Sequence, residues 1–145
     1  MRIKSSPLIE TGSRTMVPTL VVVSLFLLVV GHDSPGGGFV GGLLAGSALL
    51  VVFVAAGRPA VEAILPVRSD TILGLGLATA VFTALGGMVF GSALLDAGKL
   101  TLDLGWLGKL SVGSSLLFDV GVYLIVVGLV ATVILRLGGA EQESA

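Results

Sequence analysis

His32-Asp33-Ser34-Pro35-Gly36-Gly37-Gly38-Phe39-Val40-Gly41-Gly42 joins two long uncharged runs, and the rest of the chain is read from it. Pro35 has no N–H and a φ already near the helical value, so it suits the first turn of a helix. Ser34 then reads as an N-cap, Pro35 as a first helical residue, and the helix continues through the glycines. Gly36, Gly37, Gly38, Gly41 and Gly42 work against local helix stability, each by about 0.8–1 kcal/mol relative to Ala. In a membrane that loss is offset where small residues let a second backbone approach closely. Gly38, Gly42 and Gly46 recur at four-residue intervals and form one smooth strip; Gly37, Gly41 and Ala45 form the strip beside it. Phe39 stands alone among them, with two readings open: a wedge between helices, or an aromatic facing lipid. The stretch also satisfies G-x-G-x-x-G, but that pattern requires a preceding strand and a βαβ unit. An apolar run precedes it here, so a nucleotide is excluded and no cofactor is expected.

Outward from this turn, composition sets the class. A soluble domain is about 25% charged, whereas this chain of 145 residues is 12% charged and 54% hydrophobic, with a mean hydropathy of +1.10. The net charge of −1 and the lack of a basic cluster argue against nucleic acid as a partner. With no cysteine, disulfides and thiolate chemistry are excluded.

Four runs are long enough to cross a bilayer, which needs roughly 17–25 apolar residues. They are expected at about 15–31, 35–57, 71–95 and 114–137, in one integral membrane domain. The N-terminal basic residues before the first run would also suit a signal peptide. Gly31-His32-Asp33 is unlike a small-residue cleavage site, which favours a retained helix. Met1 to Arg14 reads as a polar tail, and 58–70 as a connector on the membrane surface. Gly138-Gly139 reads as a helix stop before an acidic, mobile tail. Thr79, Thr83, Gly87 and Gly91 give the third span a small-residue strip of its own. So many close-packing faces on a small chain suggest helix partners beyond itself. In the 96–113 link, Lys99 to Leu104 alternates polar and apolar residues before Gly105. A short β-hairpin is expected there, with Trp106 at the membrane interface. Arg2, Lys4, Arg14, Arg58, Arg68 and Arg136 fall on one side of a four-span chain, Lys99 and Lys109 on the other. Both termini are therefore expected in the cytoplasm.

The candidates for chemistry are few. Asp119 lies in the fourth span, where an acid costs about 2.5–3.5 kcal/mol at the centre and less near an end. Ser115 and Tyr123 flank it at i−4 and i+4. It reads either as a carboxylate bordering an ion or proton route, or as an acid stabilised at a helix start. His32 and Asp33 form a second candidate, a proton-relay pair or a solvated corner; one His and one Asp fall short of a metal site. No hydrolase or redox centre is recognisable, and the chain does not read as an enzyme.

The His32–Gly42 stretch resembles the signature of the B subunit of Mrp-type (Mnh-type) multisubunit cation/proton antiporters. Leu117-Phe118-Asp119-Val120-Gly121-Val122-Tyr123-Leu124 resembles that family's second signature, in the expected order. The resemblance implies an all-α subunit with four transmembrane helices in the plasma membrane of a bacterium or archaeon. It implies as partners large antiporter-like subunits, with the main proton-relay lysines and glutamates, and small membrane subunits, with Na+ and H+ as the ions moved by the complex. It puts Asp119 and Pro35 to Phe39 at motif positions that bear on transport. Two other functions stay open: an independent homo-oligomeric carrier or channel, and a purely structural assembly subunit. An inverted repeat would favour a carrier, and no convincing repeat is present.

Overall fold

A computed structural model describes residues 7–31, 37–89, 100–103, 109–112 and 114–143, with side chains at 11–31, 37–86 and 115–138. Five helices result: α1 (Pro7–Val30), α2 (Gly37–Ala56), α3 (Arg58–Ile64), α4 (Ser69–Val89) and α5 (Ser114–Glu143). Every described side chain belongs to a helix or a link between helices. Between α4 and α5 the backbone alone shows an antiparallel pairing of Leu100–Asp103 with Lys109–Val112.

Four helices are long and apolar enough to cross a membrane, over Thr11–Val30, Gly37–Ala56, Ser69–Gly86 and Ser115–Gly138. At most 33% of any of these segments is buried within the chain. Most residues of these segments therefore keep some surface outside the chain's own contacts, open to lipid or other proteins.

α1 packs on α2, α2 on α5, and α5 on α4, so the last helix in sequence sits between the second and fourth. The two glycine strips of α2 are divided between its neighbours. A Cβ built on Gly42 would lie 2.8 Å from the Val126 Cβ, and one on Gly46 2.9 Å from Val130 Cγ2. On the adjacent strip, a Cβ on Gly41 would lie 2.8 Å from the Ser24 carbonyl oxygen of α1. The strips thus serve helix contacts inside the chain, where the sequence suggested outside partners. The α4–α5 seam is equally close, but it uses Leu73, Gly76 and Ala80 against Gly121, Ile125 and Gly128. Of the strip expected on α4, Thr83 is buried and Thr79 is half-exposed; both hydroxyls donate to carbonyls one turn back on their own helix.

α2 ends where Gly57 takes φ +78° and its N–H donates to the Phe53 carbonyl at 2.8 Å. Only glycine adopts that conformation readily. Pro59 then sits in the first turn of α3, where its missing N–H does no harm. Val61 is fully buried among Leu49, Val52, Ala131 and Ile134, worth about 1.5–3 kcal/mol relative to water. The 58–70 segment is thus more than a plain connector: it pins α3 onto α2 and α5.

Two further boundaries differ from the sequence reading. α1 starts at Pro7, so half of the expected N-terminal tail is helical. α5 runs through Gly138-Gly139 to Glu143. Tertiary contact overrides the glycine stop: a Cβ on Gly138 would meet the Phe53 ring at 2.7 Å, so the small residue lets α2 and α5 close. Residues 90–95 of the expected third span lie outside the described residues.

Candidate functional site

Asp119 is the sixth residue of α5, roughly 7–8 Å along it at 1.5 Å per residue. Its side chain is half-buried, and its backbone carbonyl faces Gly38 so closely that a Cβ there would overlap it. One turn on, the Tyr123 hydroxyl lies 2.8 Å from Ser24 Oγ of α1. Ser24 is fully buried. Gly41 of α2 lies beside this bond: a Cβ there would come within 2.8 Å of the Ser24 carbonyl oxygen, so the missing side chain lets α1 close on α2 where the Tyr123 ring packs. Three helices therefore meet at one place. α5 supplies the carboxylate and the phenol, α1 supplies a buried hydroxyl, and side-chain-free stretches of α2 let them approach.

A carboxylate and a phenol one turn apart on a helix share a face. A carboxylate in such a position can accept a proton or attract a cation, and a hydroxyl pair can extend a hydrogen-bonded path from it. The Ser24–Tyr123 bond also ties α1 to α5 across α2. A double-mutant cycle of Ser24→Ala with Tyr123→Phe is expected to give a coupling of about 0.6 kcal/mol, and no more than about 1.7. Denaturation of the purified protein in detergent measures it.

The structure brings together Asp119, Tyr123, Gly38, Gly41 and Gly42, with Ser115 half-buried one turn before Asp119. Gly46 lies further along the α2–α5 contact, against Val130, and Gly37 packs on Gly31. Phe39 is 52% exposed, so it is no wedge between helices of this chain. His32, Asp33, Pro35 and Gly36 lie outside the described residues, as does Trp106. Ser24, Gly76, Gly121 and Gly128 were missed by the sequence reading. Gly121 and Gly128 are seven apart, a same-face spacing that could have flagged them. Nothing in α1 singles out Ser24 until Tyr123 is seen opposite.

A second polar group lies about 25 Å further along α5 from Asp119. Arg136 and Arg68 approach Asp70 at 3.6 and 3.7 Å, and Arg58 pairs with Glu62 at 2.7 Å. All are well exposed, so their contribution to stability is small, about 0–1 kcal/mol each.

These features define a small multi-pass membrane protein held together by glycine contacts, with Asp119 the one described acidic residue more than a turn inside a candidate span. It belongs to the MnhB family: residues 8–132 match the model described as a domain related to the MnhB subunit of Na+/H+ antiporter. The chain is 36% identical to the B subunit of the Na(+)/H(+) antiporter of Bacillus subtilis, over 92% of this chain and 94% of that one. It is 32% identical to the B subunit of the Alkalihalophilus pseudofirmus antiporter, over 94% and 93% respectively. Among solved structures it is similar to the Mrp complex from Dietzia sp. DQ12-45-1b, with a TM-score of 0.70 and 34% identity. The match covers 92% of this chain but 15% of the matched chain.

Proposed function

We propose that this chain is an accessory integral subunit of a multisubunit Na+/H+ antiporter, packing against the other subunits and lining part of the ion path at Asp119 and Tyr123. Near-full-length likeness to the B subunits of two such antiporters carries the reading. Physical chemistry agrees with the accessory role. A proton route across a bilayer needs several ionisable groups within reach of one another, and this chain supplies Asp119 with, at most, the His32–Asp33 corner. The remaining relay groups must come from partners. The exposed apolar flanks of its helices suit contact with such partners and with lipid. It acts as part of a transporter rather than as an enzyme.

The test is purification in mild detergent. The tagged chain is expected to copurify with large polytopic proteins. Recovery solely as a homo-oligomer that exchanges ions would replace this reading with the independent carrier.

The proposal includes a topology in the plasma membrane of a bacterium or archaeon. The end bearing Arg58, Arg68 and Arg136 faces the cytoplasm with both termini, by the excess of positive charge there. The paired strands Leu100–Asp103 and Lys109–Val112 lie on the outer surface. Because the chain has no cysteine, single-cysteine labelling reads this directly. Ser111→Cys is expected to react with an impermeant maleimide added outside intact cells, and Ala63→Cys only after permeabilisation. The reverse pattern would invert the topology.

A further inference from the structure

An open groove of about 410 Å³ runs between α1 and α4, floored by α2 and α5. Val17 and Val21 form one wall, Ile72 and Leu75 the other, and Leu49 and Val127 lie on the floor. At its mouth, Leu65 and Val67 also line a second, polar hollow of about 350 Å³, which holds Arg58, Glu62, Arg68, Asp70 and Arg136. An apolar slot and a charged one thus share Leu65 and Val67 in their walls and lie side by side.

We infer that an anionic phospholipid occupies this pair of hollows, its acyl chain in the groove and its phosphate at Arg68 and Arg136. The groove's length selects the chemistry. Its floor on α2 runs from Ala45 to Val52, about 10 Å. One leaflet's hydrocarbon is roughly 15 Å deep and the whole core about 30 Å. The groove fits an acyl chain entering from one leaflet, whereas a spanning helix would need a seam about three times as long. Charge selects the headgroup. Three guanidinium groups face two carboxylates, leaving one positive charge in excess. Arg68 and Arg136 share Asp70 at long distances, and their side chains are 86% and 75% exposed, so both can turn to a phosphate. Guanidinium groups bind phosphate in paired hydrogen bonds, and basic pockets between helices on the cytoplasmic side recognise anionic headgroups. A zwitterionic lipid offers the same phosphate with a cation beside it, so it gains less from the excess charge.

The inference rests on the membrane-spanning architecture and on the basic end lying at the interface, not on antiport. A complex that exchanges ions but shows no anionic-lipid preference would sink this inference alone. The experiment is native mass spectrometry of the detergent-purified complex, titrated with phosphatidylglycerol and with phosphatidylcholine of the same acyl length. The wild-type protein is expected to retain phosphatidylglycerol preferentially. The double variant Arg68→Gln/Arg136→Gln is expected to bind it about thirtyfold more weakly, from about fivefold per arginine near a membrane surface. Asp70→Asn, which frees both arginines, is expected to strengthen it. Leu75→Trp, on the exposed groove wall, is expected to reduce retention of both lipids. Equal retention of the two lipids by the wild type would overturn the inference. So would an unchanged preference in the double variant, or a segment of a neighbouring protein found seated in the groove.

Discussion

Gly42→Leu is expected to remove most of this protein from the membrane fraction and from any complex it forms, while Gly74→Leu leaves both unchanged. The two positions are matched glycines inside long helices, and they differ in what lies opposite. At Gly42 the first added carbon already meets the Val126 Cβ at 2.8 Å and the Tyr123 carbonyl oxygen at 3.2 Å. At Gly74 nothing lies within 4 Å. Neither obstacle at Gly42 is the far end of a flexible side chain, so α2 and α5 must separate. Overpacking typically costs about 1–3 kcal/mol. In lipid no hydrophobic force pushes the helices back together, and one such loss is large against the total. Local propensity pulls the other way: replacing a helical glycine favours the helix by up to about 1 kcal/mol. The sign of the outcome therefore decides between helix propensity and helix contact. Equal recovery of Gly42→Leu and Gly74→Leu would remove the α2–α5 contact from the account.

Asp119→Asn is expected to leave assembly intact and to lower sodium-driven proton exchange in vesicles by roughly a hundredfold, the lower end of what a side chain positioned to transfer protons contributes. Asparagine keeps the shape and most of the hydrogen-bonding capacity of the acid, but it neither carries charge nor binds a proton. The competing role predicts a different pattern. An acid near a helix start contributes about 0.3–1 kcal/mol through the helix dipole. Losing only that would trim stability and leave exchange per assembled complex unchanged. Measuring subunit recovery and exchange on the same membranes separates the two.

The architecture was legible because charge is so sparse here. Four uncharged runs were enough to mark the helices, and the four-residue spacing of Gly38, Gly42 and Gly46 marked a smooth face on the second of them. What that strip touched was not legible. Spacing along one helix says that a neighbour comes close, and only the fold shows that α5 and α1 are those neighbours. The Gly138-Gly139 pair shows the same limit from the other side. Local propensity reads it as a stop, yet α5 continues through it with the Phe53 ring packed against Gly138. On α4 the expected strip of Thr79, Thr83, Gly87 and Gly91 did not point to Gly76 and Ala80, which pack on α5; its two threonines bond their own helix backbone, and the side chains at 87 and 91 lie outside the described residues.

At the candidate site, Asp119 and Tyr123 stood out as a polar pair one turn apart in an apolar helix. Their third partner did not. Ser24 lies 99 residues away from Tyr123 in sequence, and a lone serine in a hydrophobic run has no periodic signal. Gly41, whose missing side chain lets the Ser24 backbone of α1 close on α2, brings that serine within reach of the phenol.

The account depends most on the chain being too poor in ionisable groups to carry ions by itself. The direct measurement is reconstitution of the purified chain alone into liposomes, beside the complete complex at equal protein, with proton uptake followed after a sodium gradient is imposed. The complex should exchange the two ions and the isolated chain should show no flux above empty liposomes. Sodium-dependent proton movement through the isolated chain would contradict the account.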